Sequence, residues 1–200
     1  MPLSLGTPPP VGNGTSFVDP CWEVQRSPRS YQNMLVDGLL QTREYAHALI
    51  SYFAEPDASD DQINNLVDIR MERKRIFGTD SPTKLSVIIE ESVLRTKMGS
   101  HEVQQEQLRY LLEQSKLHHI EVRVMGMENG LHGGIDGAFH VYDMPRYFQD
   151  IALAMTQGGS LYIEEPDVER LRLRWAKLVE EARTLEDSTN LIKTLVEGNP

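Results

Sequence analysis

The chain has 200 residues, 40% of them apolar and 25% charged, the balance of a globular protein long enough to bury a core. Lys and Arg total 20 against 30 acids, a formal charge of −10, and no stretch is dense enough in basic residues to neutralise a phosphate backbone. No run approaches the roughly 18 apolar residues of a membrane span, MPLSLGTPPPVGNG lacks the basic and apolar regions of an export signal, and the single cysteine, Cys21, suits a reducing compartment. A cytoplasmic protein without a nucleic-acid or membrane partner is the expectation.

Residues 1–20 are rich in Pro, Gly, Ser and Thr without periodicity and read as a flexible arm, leaving residues 21–200 as one domain. Trp22, Tyr31, Met34, Leu35 and Val36 are expected to pack against the helix that follows. That helix begins near Gly38, where Leu39, Tyr45, Ala46, Leu49, Tyr52 and Phe53 recur at intervals of three and four, as on one buried face. Asp37 and Thr42 can offer oxygens to the free amides of its first turn. Pro56 and Asp57 break the chain, and Ser59-x-x-Gln62 has the spacing of a capping box, opening a helix that Gly78 ends.

Leu85–Glu90 is apolar and β-branched, an interior strand. Glu91–Met98 is a helical turn or two, and His101–Leu117 a longer helix. Ile120, Val122 and Val124 alternate with Glu121, Arg123 and Met125, as in a half-buried strand. GMENGLHGGIDG, residues 126–137, holds five glycines in twelve positions and leads to a strand over 138–143. Ile151–Thr156 and Ser160–Glu164 flank Gln157-Gly158-Gly159 as a hairpin. Val168, Leu171, Trp175, Leu178, Ala182 and Leu185 form the stripe of a long helix, and a shorter one through Leu191, Ile192, Leu195 and Val196 closes the chain. This order predicts an α+β fold: a mainly antiparallel mixed sheet of about five strands covered by helices.

The stretch GLLQTREYA, the arginine-bearing DIRMERKRIF, VIIEESVLRTKMG, QLRYLLE, VRVMGM, LHGGIDGAFHVYD and LYIEE, in that order and spacing, resembles the uncharacterised domain that follows an XRE-type helix-turn-helix in many actinobacterial regulators. The resemblance spans roughly residues 22–197. It departs from the family pattern at Asp37, where proline is usual, at Lys74, where glutamine is usual, and at Ile151–Met155, which lacks the usual tyrosine and acid. The proline-rich residues before GLLQT leave no room for the helix-turn-helix, so the resemblance implies a stand-alone effector half that senses a ligand or a regulatory protein, retasked away from DNA.

The chemistry-bearing residues narrow the field. His101-Glu102-Val103-Gln104-Gln105 begins like HExxH but carries Gln105 where a second ligand is needed, and His118 and His119 are adjacent, so no metal and no cofactor is expected. No G-x-S-x-G elbow or phosphate loop is present. In the glycine-rich segment, Gly133 and Gly134 permit close approach of a ligand to backbone, and His132 and Asp136 form a potential acid/base pair. Glu90 and Glu91 end a strand, where side chains converge on a cleft, with Arg95 one helical turn on. Asp37 is a carboxylate able to hold a cation or act as a base, and Tyr31 can line the pocket. Asp37, Glu91, His132 and Asp136 are thus the candidate catalytic groups, and Tyr31, Arg95, Gly133 and Gly134 the candidate ligand contacts. The expected function is binding of a small polar or cationic molecule. The alternative is a metal-independent lyase, cyclase or hydrolase acting on a polar or cationic metabolite in a biosynthetic pathway.

Overall fold

The computed structural model describes residues 27–79, 81–144, 148–156 and 159–198. Trp22, Cys21 and the arm expected over 1–20 lie outside the described residues, as do Gln157 and Gly158 of the hairpin. The chain is α+β, with six strands in one mixed sheet: β1 (Arg29–Gln32), β2 (Leu85–Glu90), β3 (Ile120–Met125), β4 (Phe139–Tyr142), β5 (Ile151–Thr156) and β6 (Gly159–Ile163). Their order is β3-β2-β1-β4-β5-β6, parallel across β3-β2-β1 and antiparallel from β1 to β6. The helices are α1 (Arg43–Phe53), α2 (Asp60–Glu72), α3 (Glu91–Arg95), α4 (His101–Gln114), α5 (Asp167–Glu181) and α6 (Leu185–Val196).

The sixth strand is β1, for which no strand was expected. It is four residues, RSYQ, with only Tyr31 as a large apolar contributor, yet it sits centrally between β2 and β4. Its side chains divide by alternation. Tyr31 joins Ile88, Met125, Phe139, Val141 and Ala152 beneath Val168, Trp175 and Leu178 of α5. Ser30 and Gln32 face the other side, where Val87, Ile89, Val122 and Val124 are covered by Leu39, Leu40, Tyr45, Leu108, Leu111 and Ile192. β2 therefore buries both its faces, which is why Leu85–Glu90 is a nearly continuous apolar run.

Three expectations about packing are corrected. Met34, in the bend after β1, and Tyr52 and Phe53, in the last turn of α1, are exposed; Tyr52 and Phe53 pack edge-to-face on each other instead. Tyr31 packs under α5 and not against α1. The expected long stripe through Leu185 is two helices, broken at Ala182 where the backbone turns extended. That break lets the Arg183 N–H bond Val124 O and the Ser188 hydroxyl accept from Val124 N–H, both at 2.9 Å, which seals the outer edge of β3.

The entry to α1 is not one helix from Gly38. A single 3₁₀ turn, Gly38–Leu40, is followed by extended Gln41 and Thr42 before α1 begins. This non-helical backbone is buried, so its polar groups need partners inside the protein. Fully buried Gln107 of α4 supplies two, donating to Leu40 O and accepting from Thr42 N–H, each at 2.7 Å. Gln41 donates to Val36 O at 2.7 Å and accepts from Arg70 at 2.8 Å, while Lys74 donates to Gln41 O. The Tyr45 hydroxyl accepts from Val36 N–H. Truncating Gln107 to alanine orphans a buried carbonyl and a buried N–H, each worth about 1–3 kcal/mol. We expect Gln107→Ala to lower stability by about 2–4 kcal/mol in urea unfolding; an unchanged midpoint would show that the clamp carries no stability.

Candidate functional site

The parallel strands β1, β2 and β3 point their carboxyl ends to one edge of the sheet, where ligand sites of such sheets commonly lie. The segment 126–138 runs from the end of β3 to β4, which begins beside the end of β1. It therefore passes over that edge, bringing His132 to the last residue of β2. His132 Nε2 lies 3.2 Å from Glu90 Oε1, and the Tyr31 hydroxyl donates to the same oxygen. The Gly134 N–H donates to His132 Nδ1 at 3.2 Å, which makes Nδ1 the acceptor and assigns the ring proton to Nε2, the nitrogen nearer Glu90.

One oxygen of Glu90 thus takes the Tyr31 hydrogen bond and has His132 Nε2 at ion-pair distance, while no described residue donates to Oε2. The glycines explain how the loop comes so close. A Cβ on Gly134 would overlap the Tyr31 ring, and one on Gly133 would press on the Arg174 side chain of α5. Their backbone approaches protein side chains, where close approach to a ligand was expected. Tyr31, wholly buried, has its phenol pKa pushed up by burial first, then by the bond to Glu90 and the charges of Glu90 and Asp136. It is a donor here, and the field at its hydroxyl is negative.

The remaining candidates fall in three other places. Asp136 is mostly exposed and held by both oxygens on Arg174, each at 2.7 Å, so it forms no pair with His132. Glu91 is buried at the start of α3 between Arg95 at 2.8 Å and Arg183 at 3.4 Å, and Arg183 reaches on to Glu128 at 2.8 Å. This ion-paired group ties α3 to the loop after β3 and the break between α5 and α6. Glu90, singled out beside Glu91 as a strand-end acid, is the one that meets His132.

Asp37 lies on the opposite face of the sheet from Tyr31. Its Oδ2 accepts from Ser30 at 2.6 Å and from His140 Nε2 at 3.2 Å, and its Oδ1 caps the 3₁₀ turn through Leu39 N–H at 2.9 Å. Ser30 in turn accepts from Gln32 at 2.8 Å, and the His140 ring stacks on Tyr142. Burial alone would raise the Asp37 pKa; the hydrogen bond and charge of His140, the Ser30 hydroxyl and the Leu39 amide outweigh it and hold the pKa at about 2. So low a pKa makes Asp37 a weak base and an orienting group for His140, whose Nδ1 is buried with no partner among the described residues.

Sequence reasoning missed His140 and its partner Ser30. The signal was the alternation in FHVY and RSYQ, which puts His140 and Ser30 on one face in direct register. It also missed two cations shielded from water, Arg70 near Asp37 and the partly buried Lys74. Burial, then the neighbouring charge of Arg73, lowers Arg70 to about 10, with Asp37 opposing; burial lowers Lys74 to about 8, with Glu44 opposing. Among the described residues no group of three or more His, Cys, Asp or Glu is placed to hold a metal, and no helix is long and apolar enough to cross a membrane.

These features define an α+β domain with a carboxylate-centred cluster at the carboxyl edge of its parallel strands and a second buried polar cluster behind it. Residues 26–194 match the model of a family described as a domain of unknown function, DUF5753, and the chain belongs to that family. No curated protein and no solved structure matches it.

The depressed pKa of Asp37 has a definite pH signature. Relative to an ordinary aspartate at 3.8, a native value of about 2 corresponds to about 2 kcal/mol of stability. Because the folded pKa is the lower one, that contribution is complete above about pH 5 and is lost as the pH falls through 4 towards 2. Asp37→Asn should therefore cost about 2 kcal/mol at pH 7 and progressively less below about pH 4. A penalty independent of pH would assign the effect to the cap alone.

Proposed function

We propose that the protein is a small-molecule-binding domain that takes a polar, cationic ligand at the Glu90 edge. The observation that carries this reading is the half-used carboxylate: Oε1 accepts from Tyr31 with His132 Nε2 3.2 Å away, while Oε2 receives no bond from a described residue. A fixed carboxylate with an open oxygen suits an ammonium or guanidinium group, which forms charge-assisted hydrogen bonds roughly twice as strong as neutral ones. The second acid near Tyr31, Asp136, adds to the negative field. The resemblance of its motifs to those of regulator effector domains favours a sensing role in the cytoplasm, separated from DNA contact by the chain's −10 charge.

A metal-independent lyase, cyclase or hydrolase is the second reading, and the Asp37–His140 pair favours it. With Nε2 of His140 turned to Asp37, its other ring nitrogen, Nδ1, is buried without a partner among the described residues, where a substrate group could meet it. Turnover of a cationic substrate that is lost in His140→Gln and kept in Glu90→Gln would select this reading.

The binding reading is tested by titrating ethylammonium and methylguanidinium, and their uncharged analogues, into the protein followed by NMR of the His132 ring. The cations should shift the His132 signals and the neutral analogues should not. Glu90→Gln keeps an oxygen for Tyr31 and His132, so it should melt near wild type while binding the cations about ten-fold or more weakly, about 1.4 kcal/mol. Equal binding by Glu90→Gln, or no response at His132 to any cation, would overturn the assignment.

A further inference from the structure

We infer that Lys74 is a reaction site, whose side-chain amine condenses with a small aldehyde to form an imine, independently of the Glu90 edge. The chain has six lysines, and Lys84, Lys97, Lys116, Lys177 and Lys193 are all exposed. Lys74 alone is drawn in, half-buried in the 3₁₀ turn Arg73–Phe77 that continues α2. Two of the exposed lysines sit on acids, Lys116 on Glu113 at 2.6 Å and Lys177 on Glu181 at 3.6 Å. Lys74 has more to gain from a carboxylate, in a chain with 30 acids, yet meets none at ion-pair distance among the described residues. Its Nζ donates instead to Gln41 O and to the Tyr110 hydroxyl at 3.2 Å, and lies 4.4 Å from the centre of the Tyr110 ring. An amine fixed in place by neutral groups, with its charge poorly compensated, is the form in which lysine acts as a nucleophile.

Burial lowers the amine to about 8, against the opposing charge of Glu44. At pH 8 about half of it is neutral, against about 0.3% of an ordinary lysine at 10.5. Tyr110 supplies the second group that the reaction needs. Burial raises its phenol pKa, so the hydroxyl keeps its proton beside the amine. The Nζ lone pair attacks the aldehyde carbon, forming the C–N bond and moving the carbonyl π pair to oxygen. The nitrogen then gives up a proton and the oxygen gains one, through the Tyr110 hydroxyl, which leaves a carbinolamine. A second proton, from solvent, lets the C–O bond break and water depart as the nitrogen lone pair closes the C=N bond. The protonated imine retains one N–H, enough to keep the bond to Gln41 O. An aldehyde fits better than a ketone because its carbon carries a single substituent and reaches a half-buried amine.

Propanal with cyanoborohydride, which reduces the imine to a stable propylamine, tests this on the full chain, read by peptide mass spectrometry. At about pH 8, Lys74 should gain the propyl group about ten-fold or more faster than any of the five exposed lysines. That advantage should shrink as the pH rises from about 8 to about 10, where the exposed amines also become neutral. Tyr110→Phe keeps the ring beneath the amine and removes the hydroxyl. It should slow the reaction at Lys74 about ten-fold and leave the exposed lysines unchanged. Label spread evenly over the six lysines, an advantage that persists undiminished to about pH 10, or a Tyr110→Phe protein labelled at Lys74 as fast as wild type would overturn the inference.

Discussion

The structure depends on how it satisfies the buried, non-helical backbone between β1 and α1. Residues 36–42 enter the core without the ladder of a helix or a sheet, and an unpaired buried polar group costs as much as a lost hydrogen bond or more. Side chains answer for it: Gln107 for Leu40 and Thr42, Gln41 for Val36, Tyr45 for Val36, Lys74 for Gln41, and Asp37 for Leu39. This accounts for why the GLLQT stretch and the arginine-bearing helix belong together. Arg70 holds the Gln41 amide, so α2 locks the loop that α4 clamps from its other side. The consequence reaches the site, because the clamped loop is the direct continuation of β1, and β1 carries Tyr31.

Both polar clusters are built on that one short strand. Ser30 and Gln32 turn towards Asp37 and His140, while Tyr31 between them turns towards Glu90 and His132. A one-residue slip of β1 would exchange the two sets and bury the wrong groups on each face, so the polar network also fixes the register. The price is paid in electrostatics: a buried carboxylate, two buried arginines and a lysine lowered to about 8 sit close together, and Asp37 is ionised only because His140, Ser30 and Leu39 all donate to it. On the far side, α5 is docked by Arg172, which pairs with Asp143, Asp150, Glu165 and Glu169.

Much of the fold was legible because it follows local rules. Ser59 and Gln62 form the capping box their spacing announces, β2 has the limits its apolar run suggests, and Gly78 follows the 3₁₀ extension of α2. β1 was not legible: four residues with alternating polar side chains look like a loop until β2 and β4 are beside them. Met34, Tyr52 and Phe53 misled because periodicity reports a shared face and not whether anything covers it. In the sites, Tyr31, His132 and Gly134 were foreseen and do converge, whereas Asp37, Glu91 and Asp136 each answer to a separate partner. Their distant partners are spread along the chain: His140 lies 103 residues from Asp37, Arg183 92 from Glu91 and Arg174 38 from Asp136, separations no local pattern encodes.

Native-state hydrogen exchange is the most direct test of the central constraint. Thr42 N–H and Leu39 N–H belong to no helix ladder or strand pair, and their acceptors are the side chains of Gln107 and Asp37. If the clamp is what holds the entry to α1 and the end of β1, these two amides exchange only through global unfolding, with the same free energy as Ile88 in the centre of the sheet. Exchange of Thr42 and Leu39 through local opening, several kcal/mol below that of Ile88, would contradict the account.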